Sequence, residues 1–109
     1  MKILQEGVYV GTELKLNIHI DQIGSNTMAD YEWEVEAYCQ RKKSVKIKKE
    51  DATKAGENDY VIKVDTGNTG TGVLKLMITA YIPDADFEDN LRTEVLCINT
   101  GIPIKPVLS

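Results

Sequence analysis

The chain has 109 residues, with 13 Lys and Arg against 17 Asp and Glu for a net charge of −4, one His and two Cys. A chain this long exposes about 17,700 Å² unfolded and about 6,000 Å² folded, enough burial for one domain, 1–109, and too little for two. The inventory excludes a zinc site with two Cys/His ligand pairs, a disulfide scaffold and a roughly 20-residue membrane helix, and a pI near 5.0 argues against general nucleic-acid binding.

Met1-Lys2-Ile3-Leu4-Gln5-Glu6-Gly7 turns polar after two apolar residues, so no signal peptide is read there. A short strand is expected around Gly7 to Val10. From Glu13 to Asp21 the chain alternates, with Leu14, Leu16, Ile18 and Ile20 on one face and His19 on the polar one. That is the period of a half-buried strand. Gly24-Ser25-Asn26 supplies turn residues. Tyr31 to Cys39 alternates again, with Tyr31, Trp33, Val35, Ala37 and Cys39 inward and three glutamates outward, and Tyr38 is expected outward with them.

Taking Arg41-Lys42-Lys43 as a hairpin loop pairs Cys39 with Val45, Ala37 with Ile47 and Glu36 with Lys48. Apolar then meets apolar on one face and opposite charges meet on the other. The same pairing accounts for most of the basic run Arg41, Lys42, Lys43, Lys46, Lys48 and Lys49. No aromatic interleaves that run, so nucleic acid is not an expected partner.

Glu50 to Asp59 is polar, with room for one helical turn ending at Gly56. Tyr60 to Asp65 reads as a strand, and Thr66 to Gly72 as a turn with three glycines. Val73 to Ile82 is a long strand, apolar enough to be central. Thr93 to Thr100 is the next strand. Residues 101–109 form an extended tail that Pro103 and Pro106 keep out of a central strand. Six or seven strands at intervals of about 10 to 15 residues, with no helix to cross over between parallel strands, predict an all-β fold. An antiparallel immunoglobulin-like β-sandwich is the architecture this pattern favours.

Trp33 reads as core. Cys39 and Cys97 fall on the third and last strands of such a sandwich. Those strands share a sheet with one strand between them, which puts the Cα atoms about 10 Å apart, beyond disulfide reach. Both are expected as free thiols facing the core. His19 has no catalytic neighbour in sequence, and no constellation implies an enzyme or a cofactor. Asp84, Asp86, Glu88 and Asp89 mimic the start of a calcium loop, but the sixth position from Asp84 is Asp89 rather than Gly and the twelfth is Val95 rather than Glu. With Phe87, the chain's one Phe, they mark the Pro83–Asn90 loop as the candidate contact surface.

Tyr31-Glu32-Trp33-Glu34-Val35-Glu36-Ala37-Tyr38, Gly72-Val73-Leu74-Lys75, Ala80 through Phe87, Leu91-Arg92-Thr93-Glu94-Val95 and Thr100-Gly101-Ile102 together resemble small proteins of Bacteroides-type phages and prophages encoded among virion genes. The layout is also similar to the immunoglobulin-like N-terminal domain of phage upper-baseplate proteins. The resemblance implies a non-enzymatic structural part of the tail, baseplate or head decoration, located in the virion or in the bacterial cytoplasm during assembly. Its partners would be other virion proteins or itself, with neither nucleic acid nor membrane. The alternative is a carbohydrate- or surface-binding sandwich, for which Tyr9, Tyr38, Tyr60, Tyr81 and Phe87 are the aromatic candidates.

Overall fold

Alternation in sequence becomes alternation in burial. The computed structural model describes residues 8–40 and 42–107, so the reading of Met1–Gly7, Arg41 of the basic run and the last two tail residues lie outside them. Its strands are β1 (Val8–Tyr9), β2 (Glu13–His19), β3 (Glu32–Tyr38), β4 (Val45–Lys48), β5 (Thr53–Lys54), β6 (Asp59–Asp65), β7 (Gly72–Pro83) and β8 (Leu91–Lys105). One sheet has the order β1-β8-β7-β3-β4 and the other β2-β6-β5. The fold is all-β, with short 3-10 turns and no α-helix among the described residues.

Three expectations about the strands change. The described residues form eight, because Thr53–Lys54 pairs with β6 in the segment read as a polar turn. The larger sheet is mixed, since β1 runs parallel to β8 with Val8 opposite Ile104. The β3–β4 register is two residues from the expected one: Ala37 faces Val45, Val35 faces Ile47, Glu36 faces Lys46 and Glu34 faces Lys48. A two-residue slip keeps every side chain on its face and still sets Glu against Lys, so neither hydrophobicity nor charge distinguishes the two registers. Contacts at both ends of the hairpin do. Cys39 N–H leaves β4 to donate to the Thr69 carbonyl at 3.3 Å. At the other end Lys49 Nζ donates to the carbonyls of Ala29 and Tyr31, both at 2.9 Å.

The two sheets enclose one core. Ile18, Tyr60, Ile62 and Val64 from the small sheet pack with Trp33, Val35, Leu76 and Ile78 from the large one. All five residues expected inward between Tyr31 and Cys39 are buried. Trp33 sits at the centre, 2% exposed. Its indole N–H donates to the Met28 carbonyl at 3.3 Å, and its ring meets Tyr60 edge-on with centroids 5.0 Å apart. β7 is central, as its composition indicates, with β3 on one side and β8 on the other.

The tail is a strand until Lys105. Pro103 lies opposite Val73, and Ile104 is buried between β7 and β1. The proline is tolerated because β8 carries extra residues opposite Leu74, where the register shifts. There Thr100 Oγ1 donates to the Leu74 carbonyl at 2.7 Å and accepts from Ile102 N–H at 3.2 Å. Gly101 takes the left-handed φ of +73° that this bulge requires. Two side chains also differ from their expected exposure. Tyr38 has outward parity but is buried, and Cys97 is exposed while Cys39 is buried. Cys97 has the outward parity of β8, so alternation excludes it from the core once the strand's phase is fixed by its pairing with Met77. Both cysteines are free.

Candidate interaction surface

The Pro83–Asn90 connection joins β7 to β8 as a hairpin loop closed by Asp84 N–H donating to the Asn90 carbonyl at 2.9 Å. Asp84 is its anchor. Oδ1 accepts from Asp86 N–H at 3.0 Å, and Oδ2 lies 3.4 Å from Arg92 Nε. Asp89 and Asn90 turn the chain with φ of 59° and 57°, a conformation that Asp and Asn tolerate better than most residues. Of the five residues singled out in sequence, Asp84 therefore faces back onto Arg92. Asp86, Phe87, Glu88 and Asp89 form the exposed tip, with Phe87 49% exposed. Among the described residues no group of three or more His, Cys, Asp or Glu is arranged to hold a metal ion.

The aromatic candidates do not gather. Tyr60 and Tyr38 are buried, and Tyr81 donates its hydroxyl to Glu34 at 3.0 Å. Tyr9, 58% exposed, lies opposite Lys105 at one end of β8, and Phe87 lies beyond Leu91 at the other. The stretch of β8 between them runs beside the 12 residues of β7, which puts them at opposite ends of a span of about 40 Å.

A larger feature was not singled out in sequence. β8 hydrogen-bonds β7 along its length, but on its other side the described residues supply only β1, at Ile104 and Lys105. Among the described residues, no strand pairs with the edge from Leu91 to Ile102. On its core side Arg92, Glu94, Leu96 and Ile98 are half-buried, because β2 does not reach across to pair with β8. A cleft of about 420 Å³ remains there, its wall from β8 made by Glu94 and Leu96–Ile98, Cys97 included, and its facing wall by the chain from His19 to Ile23. The signal available in sequence is the pair of charges at Arg92 and Glu94, which continue the inward phase of Leu96 and Ile98.

Two buried polar atoms near this opening lack hydrogen bonds: the Tyr31 hydroxyl and Glu94 Oε2. Glu94 Oε2 lies 3.4 Å from Arg92 Nη1, an ion-pair distance without hydrogen-bond geometry. Burial, and then the Glu94 carboxylate, push the Tyr31 phenol above its ordinary pKa. Native proteins leave few such atoms unpaired.

At the cleft's rim His19 stands between two aspartates, with Nε2 2.9 Å from Asp21 Oδ1 and Nδ1 3.0 Å from Asp59 Oδ1. Only the imidazolium offers an N–H to both. The Asp21 hydrogen bond, then that of Asp59, raises the His19 pKa above 6.5, and the His19 hydrogen bond lowers that of Asp59. A raised histidine stabilises the fold below its unfolded pKa and loses that contribution as pH rises through the folded value. The lowered Asp59 stabilises above its unfolded pKa of 3.8 and loses its share as pH falls through the folded value. The pair is therefore worth most between about pH 4 and pH 6.5. Melting curves at pH 5 and pH 8 check this: His19→Gln is expected to lower Tm more at pH 5 than at pH 8, and equal losses refute it.

No helix among the described residues is long and apolar enough to cross a membrane. No family model, curated protein or solved structure matches the chain.

Proposed function

We propose that this chain is a non-enzymatic, immunoglobulin-like β-sandwich that serves as a structural and assembly module through protein–protein contacts. Reading β2 to β8 in chain order as B, C, C′, D, E, F and G turns the observed sheets into B-E-D and C′-C-F-G. That is the arrangement of immunoglobulin-like sandwiches with a C′ strand. Trp33 then falls on strand C, packed on Tyr60 of strand E instead of on a disulfide.

The observation that carries the functional reading is the edge of β8, where the described residues leave Leu91 to Ile102 without a neighbouring strand. An unpaired edge is a ready template for another chain, and strand addition supplies affinity through main-chain hydrogen bonds without any catalytic group. The setting, a phage or prophage particle, is supported by the resemblance of Tyr31–Tyr38, Gly72–Lys75, Ala80–Phe87, Leu91–Val95 and Thr100–Ile102 to small virion proteins. Light scattering of the purified protein, alone and with its neighbouring virion proteins, tests the reading. Oligomers or a stoichiometric complex are expected; a monomer that binds none of them overturns it. A glycan array that stays blank would separate this reading from a carbohydrate-binding one, which the distance between Tyr9 and Phe87 already disfavours.

A further inference from the structure

β1 runs parallel to β8, with Val8 opposite Ile104 and Tyr9 opposite Lys105. The chain therefore enters β1 from the Ile102 side of β8. That is the stretch of edge that no described strand pairs. It leads to the cleft whose walls are β8 and the chain from His19 to Ile23.

The strand registers give the distance to that cleft. Ile104 faces Gly72 and Ile98 faces Leu76, so the two lie four residues of β7 apart, the bulge having absorbed two residues of β8. Four residues before Val8 stands Leu4. An extended chain covers either interval in about 13 Å. The phase agrees as well. Val8 packs against the core while Tyr9 is exposed, and residues an even number apart on a strand share a side. A continuation of β1 thus sets Leu4 on the core side, level with Ile98. The cleft is apolar there, at Ile20, Ile23, Leu96 and Ile98, and all of these but Ile20 are only half-buried.

We propose that residues 1–7, which lie outside the described residues, extend β1 along β8 as a strap, seating Leu4 in this cleft and covering the edge from Ile102 to Cys97. The occupant is the chain's own segment because Val8 is already paired at Ile104. A tethered strand is spared the translational and rotational cost of association that a separate chain pays. Resting on the interaction-module reading, the strap is also what a partner adding to this edge must displace.

The test is methyl NMR of the full chain, labelled at Ile, Leu and Val. Nuclear Overhauser contacts are expected between the Leu4 methyls and those of Ile23, Leu96 or Ile98. In a mixture of labelled and unlabelled protein, filtering for contacts between different chains should remove them. In Leu4→Asp, which loses one buried leucine, the amides of Leu96 to Asn99 should exchange with solvent at least about tenfold faster, while those of β3 keep their protection. Absence of the Leu4 contacts overturns the proposal, and so does unchanged exchange in the variant. Contacts that survive the filter would assign the cleft to a second copy's segment and overturn it too. Light scattering keeps this failure apart from failure of the interaction-module reading. Complexes formed by a chain without Leu4 contacts refute the strap alone, and Leu4 contacts in a monomer that binds no virion protein refute the module alone.

Discussion

Trp33→Ala is expected to remove about 3–5 kcal/mol of folding stability, the usual loss for an aromatic truncated in a packed core. A domain of this length has only about 5–15 kcal/mol in total, so the loss is a large share of the fold's stability. Three losses combine. The indole leaves a cavity between the sheets, Tyr60 loses its edge-on partner, and the Met28 carbonyl loses the donor 3.3 Å away. Trp33→Phe retains most of the volume but not the N–H, so it separates packing from the hydrogen bond. Urea unfolding followed by circular dichroism checks both, and a loss below about 1 kcal/mol for the alanine variant would contradict the central placement of Trp33.

Thr66→Val comes second, at about 1 kcal/mol, the usual net worth of an intramolecular hydrogen bond. The two side chains have nearly the same shape, so packing is held constant. Thr66 is fully buried in the 3-10 turn after β6. Its Oγ1 donates to the Thr12 carbonyl at 2.7 Å and accepts from Gly11 N–H at 2.9 Å. Thr12 keeps a second donor in Thr66 N–H at 3.1 Å, but Gly11 N–H has no other partner among the described residues. The turn it pins carries the chain from β1, in one sheet, to β2, in the other. Faster hydrogen exchange at Val10, whose N–H bonds the Lys105 carbonyl, should therefore accompany the loss of stability. Thr66→Ser keeps the hydroxyl and should leave Val10 protected.

The edge of β8 and the β1–β2 turn belong to one arrangement. β1 closes the gap between the sheets at Ile104 and Lys105, and nothing among the described residues closes it nearer Leu91. The cleft lies on that uncovered stretch. Asp84 and Arg92 hold the hairpin loop against the Leu91 end of β8.

Much of this was legible from local pattern. Leu14 to Ile20 and Tyr31 to Cys39 declare their faces by period-2 alternation, and the structure buries the same sides. The chain of β7 reads as central because its run from Leu74 to Ile82 lacks a strongly polar face. Gly24, Asp89 and Asn90 sit at turns where left-handed backbone is needed. The exposed tip of the acidic loop follows from its composition, but the inward role of Asp84 does not, since it depends on where Arg92 lies across the hairpin.

Local pattern was enough for the all-β class, the inward side of β2 and β3, and the burial of Trp33, because alternation is a property of neighbouring residues. Only the tertiary structure decided the β3–β4 register, the exposure of Cys97, the strand in Gly101–Lys105 and the open cleft at Glu94. A two-residue slip leaves every local interaction satisfied, so distant partners such as the Thr69 carbonyl and Lys49 must select the register. A proline-containing tail joins a sheet only when a bulge and a parallel neighbour, β1, supply what its backbone lacks. The cleft exists because β2 and β8 do not pair, a fact that belongs to two sheets and to no single segment.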